Sequence, residues 1–157
     1  MLRAIKVRLY PNKEQERAIN QLLGCYRFVY NYMLALKRKE YIDNKINLSL
    51  NDLSKYFFET LRKNEDYQWL KEQHTHIMQQ AIRQMCIAYD RFFKLHTGFP
   101  KFKSKKDKQS ALFSIIAISK KNIFKERKIT LTKSFKDIKF RCSNLYFKRL
   151  QVYKDKI

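Results

Sequence analysis

Lysine and phenylalanine alternate in the short segment 98–106, which also holds one glycine and one proline. Lysines can contact phosphate groups, and phenylalanines can stack on a nucleobase or hold the segment against the rest of the chain. The side chains that could do this chemistry are Lys101, Phe102, Lys103, Ser104, Lys105 and Lys106. The composition equally allows a solvated basic loop with buried phenylalanines, so both interpretations stay open.

Two stretches with helical periodicity carry further polar side chains that could recognise a ligand. Gln80 and Arg83 lie away from the apolar stripe of their predicted helix, and glutamine and arginine recognise adenine and guanine edges in a major groove. Arg27 and Asn31, four residues apart, share one face of an earlier predicted helix. Ordinary helix formation and hydrogen bonding to a neighbouring helix are the simpler interpretations of these residues.

No residue pattern indicates catalysis or a metal site. His74 and His76 are two positions apart, so a helix would point them in different directions. The three cysteines Cys25, Cys86 and Cys142 are widely spaced without a C-x-x-C pair, which is typical of reduced, buried thiols. Two glycines could hardly form a phosphate-binding loop. We therefore expect no enzyme activity, no metal and no cofactor.

The charge of the chain is its strongest compositional feature. Its 157 residues include 35 Lys+Arg and 14 Asp+Glu, which gives a formal net charge of +21. Eighteen of these basic residues, but only four of the acidic ones, follow residue 96. A polyanion such as nucleic acid would relieve the self-repulsion. An acidic protein is an alternative partner, and a membrane surface is the least favoured one because no long helix has a basic face opposite an apolar one.

The N-terminal residues predict a strand followed by a long helix. Apolar and polar residues alternate over residues 5–10, and Pro11 ends the pattern. One face of this strand carries Lys6, Arg8 and Tyr10. Asn12 and Gln15 have the spacing of a capping box, which predicts a helix from there to about residue 41. Gly24 lies inside this helix, and we expect it to allow close packing. The start of the chain lacks the apolar core of a signal peptide, and no apolar run is long enough to span a membrane, so we expect a cytoplasmic protein.

The remaining residues predict more helices and then a change to strands. A helix should begin near Ser49, a short segment should contain Trp69, and a long helix should cover residues 75–95. After the Gly98–Pro100 region, apolar residues alternate with basic or hydroxyl-bearing ones. Strands are predicted over residues 112–118, 128–132 and 138–142, with a last helix after residue 143. This order predicts an α+β fold in which a helical insertion separates the first strand from its partners.

Four ordered motifs resemble the OrfB/TnpB transposase family of insertion sequences. IKVRLYPNKEQ at residues 5–15 resembles the start of that family, and YRFVYN at 26–31 its first-helix signature. MQQAI at 78–82, with AYDRFF at 88–93, is similar to a later helix of the family. GFPKFKSKK at 98–106 is close to the family's G-x-P-R-F-K-S-K loop.

The resemblance implies both an architecture and an activity. In this family a small wedge-type β-barrel is interrupted by a helical recognition lobe, often described as helix-turn-helix-like. Residues 1–11 would be the first barrel strand, 12–98 the helical insertion, and 99–157 the basic loop, the remaining strands and a terminal helix. The full-length proteins are RNA-guided DNA endonucleases related to type V CRISPR effectors. Their metal-binding nuclease domain and four-cysteine zinc motif have no counterpart among these residues.

We therefore expect the nucleic-acid-binding N-terminal part of a TnpB-like protein in the prokaryotic nucleoid. Its partners would be DNA, with a short transposon-adjacent motif, and guide RNA, together with a nuclease-bearing chain encoded downstream. The alternatives are a standalone DNA-binding regulator and an inert remnant of a decayed insertion sequence. The residues that match the family's binding motifs are Lys6, Arg8, Tyr10, Arg27, Asn31, Gln80 and residues 101–106. Arg83 joins them because it lies beside Gln80 on the predicted helix.

Overall fold

The computed structural model describes residues 6–113, 123, 126–132, 135–144 and 148. Its elements, in chain order, are β1 (Arg8–Tyr10), α1 (Lys13–Asn44), α2 (Leu50–Glu59), α3 (Thr75–Leu95), β2 (Lys128–Ile129) and β3 (Ile138–Arg141). Two 3₁₀ helices, Leu61–Lys63 and Glu65–Glu72, lie between α2 and α3. The predicted α+β class is confirmed. No helix in the described part of the chain is long and apolar enough to cross a membrane.

The chain divides into two units, one from residues 1–20 and 115–157 and the other from residues 21–114. In the second unit, apolar side chains from α1, α2, α3 and the 3₁₀ helices form the core. Those with no more than 1% exposure include Leu22, Val29, Met33, Leu34, Leu53, Phe57, Leu61, Leu70, Met78, Ala81, Ile82 and Met85. They recur at helical spacing along each helix, as an amphipathic pattern requires. This core holds α1 and α3 in place.

The helix boundaries follow from local capping. The Asn12 backbone N–H donates to Gln15 Oε1 at 2.9 Å, and the Gln15 backbone N–H donates to Asn12 Oδ1 at 2.7 Å, so the predicted capping box is confirmed. A second box joins Ser49 and Asp52 at the start of α2. The predicted limits of α3 are also confirmed. The expectation for Gly24 is wrong, because a Cβ atom there would meet nothing within 4 Å.

In the first unit, the described strands form an antiparallel sheet of order β1-β3-β2. Leu9 of β1 pairs with Phe140 of β3, and Ile138 and Phe140 are buried. The first strand therefore pairs with a strand about 130 positions later, as an insertion requires. Closure of this sheet into a wedge-type barrel remains a prediction.

Two predicted C-terminal elements are only partly covered by the described residues. The strand expected over residues 112–118 is not present at Leu112 and Phe113, which lie outside any strand, and its other positions fall outside the described part. The helix expected after residue 143 lies largely outside it as well. The strand expected over 128–132 is shorter, since β2 covers Lys128–Ile129 only. The apolar pattern thus overestimated the strand length, because alternation marks a half-buried face whether or not a partner strand continues.

Candidate nucleic-acid interface

Residues 98–109, hereafter the basic loop, are attached to α1 by two polar side chains. The Asn31 side-chain amide donates to the Lys103 carbonyl at 2.9 Å and accepts from the Lys103 backbone N–H at 2.8 Å. Arg27 Nη1 donates to Gln109 Oε1 at 2.7 Å. Both side chains are half-buried. The simpler interpretation of Arg27 and Asn31, a structural hydrogen bond, is therefore the observed one, with a loop rather than a helix as partner.

Hydrogen bonds within the basic loop define its turn. The backbone N–H of Ser104 donates to Asp107 Oδ2 at 2.7 Å, and that of Asp107 donates to the Ser104 carbonyl at 3.2 Å. The amide nitrogen of Gln109 donates to the carbonyls of Ser104 at 2.8 Å and Asp107 at 2.6 Å. Ser104 is thus a turn-forming residue, and its hydroxyl accepts from the Lys106 N–H at 3.2 Å. The turn leaves the side chains of Lys105 and Lys106 exposed.

The lysines of the basic loop are not equivalent. Lys101, Lys105, Lys106 and Lys108 are exposed, and within the described residues none of them has a carboxylate within 4.0 Å. Lys103 is half-buried, with its Nζ 4.5 Å from the ring centroid of Tyr30. Burial lowers the pKa of Lys103 below its ordinary value. The four exposed lysines are suited to phosphate contacts, whereas Lys103 contributes to packing through a cation–π contact.

The two loop phenylalanines lie beneath a guanidinium group from α1. Arg38 Cζ is 5.3 Å from the ring centroid of Phe99 and 5.7 Å from that of Phe102. Phe99 also makes edge contacts with Tyr89 at 5.3 Å and with Phe92 at 5.2 Å between ring centroids. Phe102 is 50% exposed. Phe99 thus holds the loop against the helices, as one of the two interpretations expects, while Phe102 remains half exposed.

On α3, the structure separates the two candidate base-reading residues by exposure. Arg83 is exposed and borders a cavity of about 450 Å³ together with Lys37, Ser49 and Asp90. Gln80 is half-buried. One turn further along the same helix face, Gln84 lines a cleft of about 330 Å³ that Lys103 and others complete. Arg83 is therefore the more accessible of the two predicted residues.

In the first unit, the exposed face of the sheet is basic. Arg8 is directly opposite Arg141, and Tyr10 is opposite Lys139, so these four side chains share one face. The guanidinium carbons of Arg8 and Arg141 lie 5.5 Å and 5.1 Å from the Tyr10 ring centroid. Lys6, which precedes β1, is exposed as well. The predicted residues of the first strand are thus accompanied by two further cations from β3.

Sequence reasoning did not select Arg38, Lys139 and Arg141 as candidate binding residues, although signals for them existed. Arg38 lies seven positions after Asn31 on α1, which places it on the helix face that carries Arg27 and Asn31. Lys139 and Arg141 occupy the outward positions of a strand that was correctly predicted. Only the pairing of β3 with β1 shows that these two cations lie on the same face as Arg8 and Tyr10.

The titratable groups elsewhere give no sign of a reactive centre in the described residues. No group of three or more His, Cys, Asp or Glu side chains is arranged to hold a metal ion there. Cys25 is buried, and burial raises the pKa of its thiol to about 11. Burial also raises the pKa of the Cys86 thiol. These thiols are free and poorly ionised at neutral pH.

Comparisons with known proteins bear on both the family and the extent of the match. Residues 1–45 match the helix-turn-helix domain of the OrfB/IS605 type. The chain is 36% identical over 116 residues to the virulence protein VsdF of Salmonella dublin, covering 69% of this chain and 98% of that relative. It is 30% identical over 142 residues, or 90% of its length, to a candidate RNA-guided DNA endonuclease of Streptomyces pristinaespiralis. It is 29% identical over 104 residues, or 66% of its length, to the candidate RNA-guided DNA endonuclease InsQ of Escherichia coli K12. It spans 34% and 26% of these two proteins.

Proposed function

The chain belongs to the OrfB/TnpB-type family of insertion-sequence proteins, and from this premise we propose that it binds DNA and a guide RNA. In this proposal these residues supply the nucleic-acid-binding part of the family. The exposed lysines of the basic loop and the cations on the sheet face contact phosphates. Arg83 and Gln80 on α3 read base edges in a short DNA motif.

The observation that supports the proposal most is the fixed basic loop. Four exposed lysines belong to the basic loop, which Asn31 and Arg27 hold against α1. A positioned set of cations binds a polyanion with less loss of conformational entropy than a mobile one. The sheet face adds Arg8 and Arg141 around an aromatic ring. Cations at several exposed positions can contact successive phosphates of an extended polyanion, whereas they do not form a single enclosed site for a small metabolite.

Salt dependence of binding tests the role of the basic loop. Each phosphate contact to B-DNA adds about 0.9 to the slope of log K against log salt, so removing three contacts should reduce the slope by between about 2 and 3. The loop variant carries K101A, K105A and K106A. The control removes three exposed lysines of α2 and the 3₁₀ helices, as K55A, K63A and K71A. Anisotropy of a labelled duplex measures both, and equal slopes for the two variants would contradict the assignment.

A second comparison tests whether α3 reads bases. Q80A and R83A should each change the relative affinity for different duplex sequences, whereas K105A should weaken binding to all of them alike. Lys103 is unsuited to this comparison because its ammonium group lies against the Tyr30 ring. Selection of bound duplexes from a random library provides the measurement. If all three variants shift the selected sequences equally, the division of roles is wrong.

A standalone DNA-binding regulator is the second candidate function. One observation favours it: the chain aligns with 98% of VsdF, so a relative exists that consists almost entirely of this part. Sequencing of RNA that co-purifies from the native host at moderate salt separates the candidates. A discrete RNA from one insertion-sequence end supports the guided protein. Heterogeneous, salt-labile RNA together with tight duplex binding supports the regulator.

A further inference from the structure

The ends of α1 and α3, together with Phe99 of the basic loop, enclose an aromatic pocket that the proposed phosphate contacts do not use. Its cavity measures about 370 Å³ and is lined by Lys37, Arg38, Tyr89, Phe92, Phe93, Phe99 and three further residues near the end of α1 and the start of the following loop. Hereafter this is the aromatic pocket. All of these residues belong to the unit of residues 21–114.

The rings of the aromatic pocket contact one another but are not fully buried. Phe93 stacks against Tyr89 with ring centroids 6.4 Å apart and planes inclined by 20°. Phe92 meets Phe93 at 5.0 Å and Phe99 at 5.2 Å, both edge to face. Phe93 is nonetheless 65% exposed and Phe99 39% exposed. Flat apolar surfaces of this kind gain stability when a planar ring covers them.

Two cations border these rings, and they differ in their availability. Lys37 Nζ donates to Asn47 Oδ1 at 2.6 Å and to the Leu48 carbonyl, so it holds the segment after α1. Arg38 is exposed, and its contacts within the described residues are the faces of Phe99 and Phe102, with no carboxylate within 4.0 Å. A guanidinium in this position can bind a phosphate without losing an existing ion pair.

The pocket thus combines stacking surfaces with an available cation on a chain of charge +21. A nucleotide matches both features, since its base is a planar ring and its phosphate an anion. A paired base cannot enter, because its faces are covered by its neighbours. Unpaired, splayed bases are the usual target of sequence-recognising contacts to RNA.

We propose that the aromatic pocket binds an unpaired nucleotide of an RNA, with its base against Phe93 and Phe99 and its phosphate on Arg38. This inference rests on the proposed nucleic-acid binding and adds to it the state of the nucleotide and the place where it binds. The exposed lysines of the basic loop then contact the neighbouring phosphates of the same strand. The pocket selects single-stranded over paired RNA.

The test uses the full chain and a short RNA that contains one central 2-aminopurine between uridines. Stacking on an aromatic ring quenches 2-aminopurine fluorescence, so binding should lower the signal of the single strand. Because base stacking in a duplex already quenches 2-aminopurine, unlabelled competitors provide the comparison: the unlabelled single strand should reverse the quenching at a concentration at least about fivefold lower than its annealed duplex does. Equal competition by the single strand and the duplex would overturn the proposal.

Two variants and two matched controls make the test specific. F93A and R38Q should each weaken binding of the single-stranded RNA by at least about fivefold, the lower end of the effect of losing one base stack. L95A removes an equally exposed apolar side chain of α3 outside the pocket, and K39Q removes the cation next to Arg38. The controls should change affinity less than twofold. Equal losses of affinity in the variants and the controls would refute the proposed role of the aromatic pocket.

This experiment separates failure of the pocket from failure of the proposed function. If the chain binds duplex DNA with a steep salt dependence but never quenches 2-aminopurine, the pocket proposal is wrong and the proposed function stands. If no nucleic acid binds, both are wrong. Because Phe93 and Arg38 are exposed, their replacement should leave the thermal unfolding midpoint within about 2 °C, which circular dichroism checks.

Discussion

Removal of the Asn31 side chain should release the basic loop from α1. The Asn31→Ala variant loses the two hydrogen bonds to the Lys103 backbone, at 2.9 and 2.8 Å. Each such bond contributes about 1 kcal/mol, so their loss costs about 2 kcal/mol. Alanine is a better helix former than asparagine by up to about 0.7 kcal/mol, which offsets part of that cost. The free energy of unfolding should therefore fall by about 1.5 kcal/mol.

Asn20→Ala is the matched control, because Asn20 is an exposed asparagine of the same helix with no side-chain hydrogen bond described for it. It gains helix propensity and loses nothing, so it should stabilise the chain slightly. Urea unfolding measures both variants, and the difference between them isolates the loop contact. Hydrogen exchange of the Lys103 amide, which donates to Asn31, should accelerate in the first variant only.

Binding provides the second measurement on the Asn31→Ala variant. The affinity for nucleic acid should fall because the loop must be ordered again on binding, while the salt slope should stay unchanged because every exposed lysine remains. An unchanged free energy of unfolding together with an unchanged exchange rate at Lys103 would refute the reasoning. It would mean that the loop is held by its own turn and by Phe99 alone.

Three further predictions concern stability. Gly24→Ala should stabilise the chain by about 1 kcal/mol in urea unfolding, because the added methyl group enters open space within α1; a loss of stability would show that the position is crowded after all. Ser49→Ala should cost about 1 kcal/mol by removing the α2 cap, and an NMR titration should show the pKa of Asp52 rising from its lowered value, since hydrogen bonds from Ser49 are the main cause of that lowering. Burial raises the pKa of the Cys25 thiol from 9.0 to about 11, so between these pH values the thiol ionises in the unfolded chain but not in the folded one. The free energy of unfolding should therefore be independent of this thiol below about pH 9 and should fall as the pH rises from about 9 to about 11. A Cys25→Ala variant whose unfolding midpoint falls as steeply with pH would contradict this.

Several parts of the fold and the candidate site could be predicted from local sequence. The Asn12–Gln15 capping box, the helix start near Ser49, the limits of α3 and the outward face of β3 depend on residues two to four positions apart, so their signals lie within a few neighbouring letters. The same holds for the family motifs, which are short and ordered along the chain. The excess of positive charge and its concentration after residue 96 are likewise properties of composition.

Other features depend on contacts between distant positions, which no local pattern reports. Asn31 meets Lys103 across 72 residues, and Arg8 meets Arg141 across 133. Whether a lysine of the basic loop faces solvent or the Tyr30 ring depends on how that loop lies against α1. The aromatic pocket likewise exists because α1, α3 and the loop meet there. Residue types and local periodicity therefore determine most of the helices, the location of β1 and β3, and the charge. Packing of elements far apart in sequence determines which cations and rings remain available to that partner, because each long-range contact forms only when the whole core does.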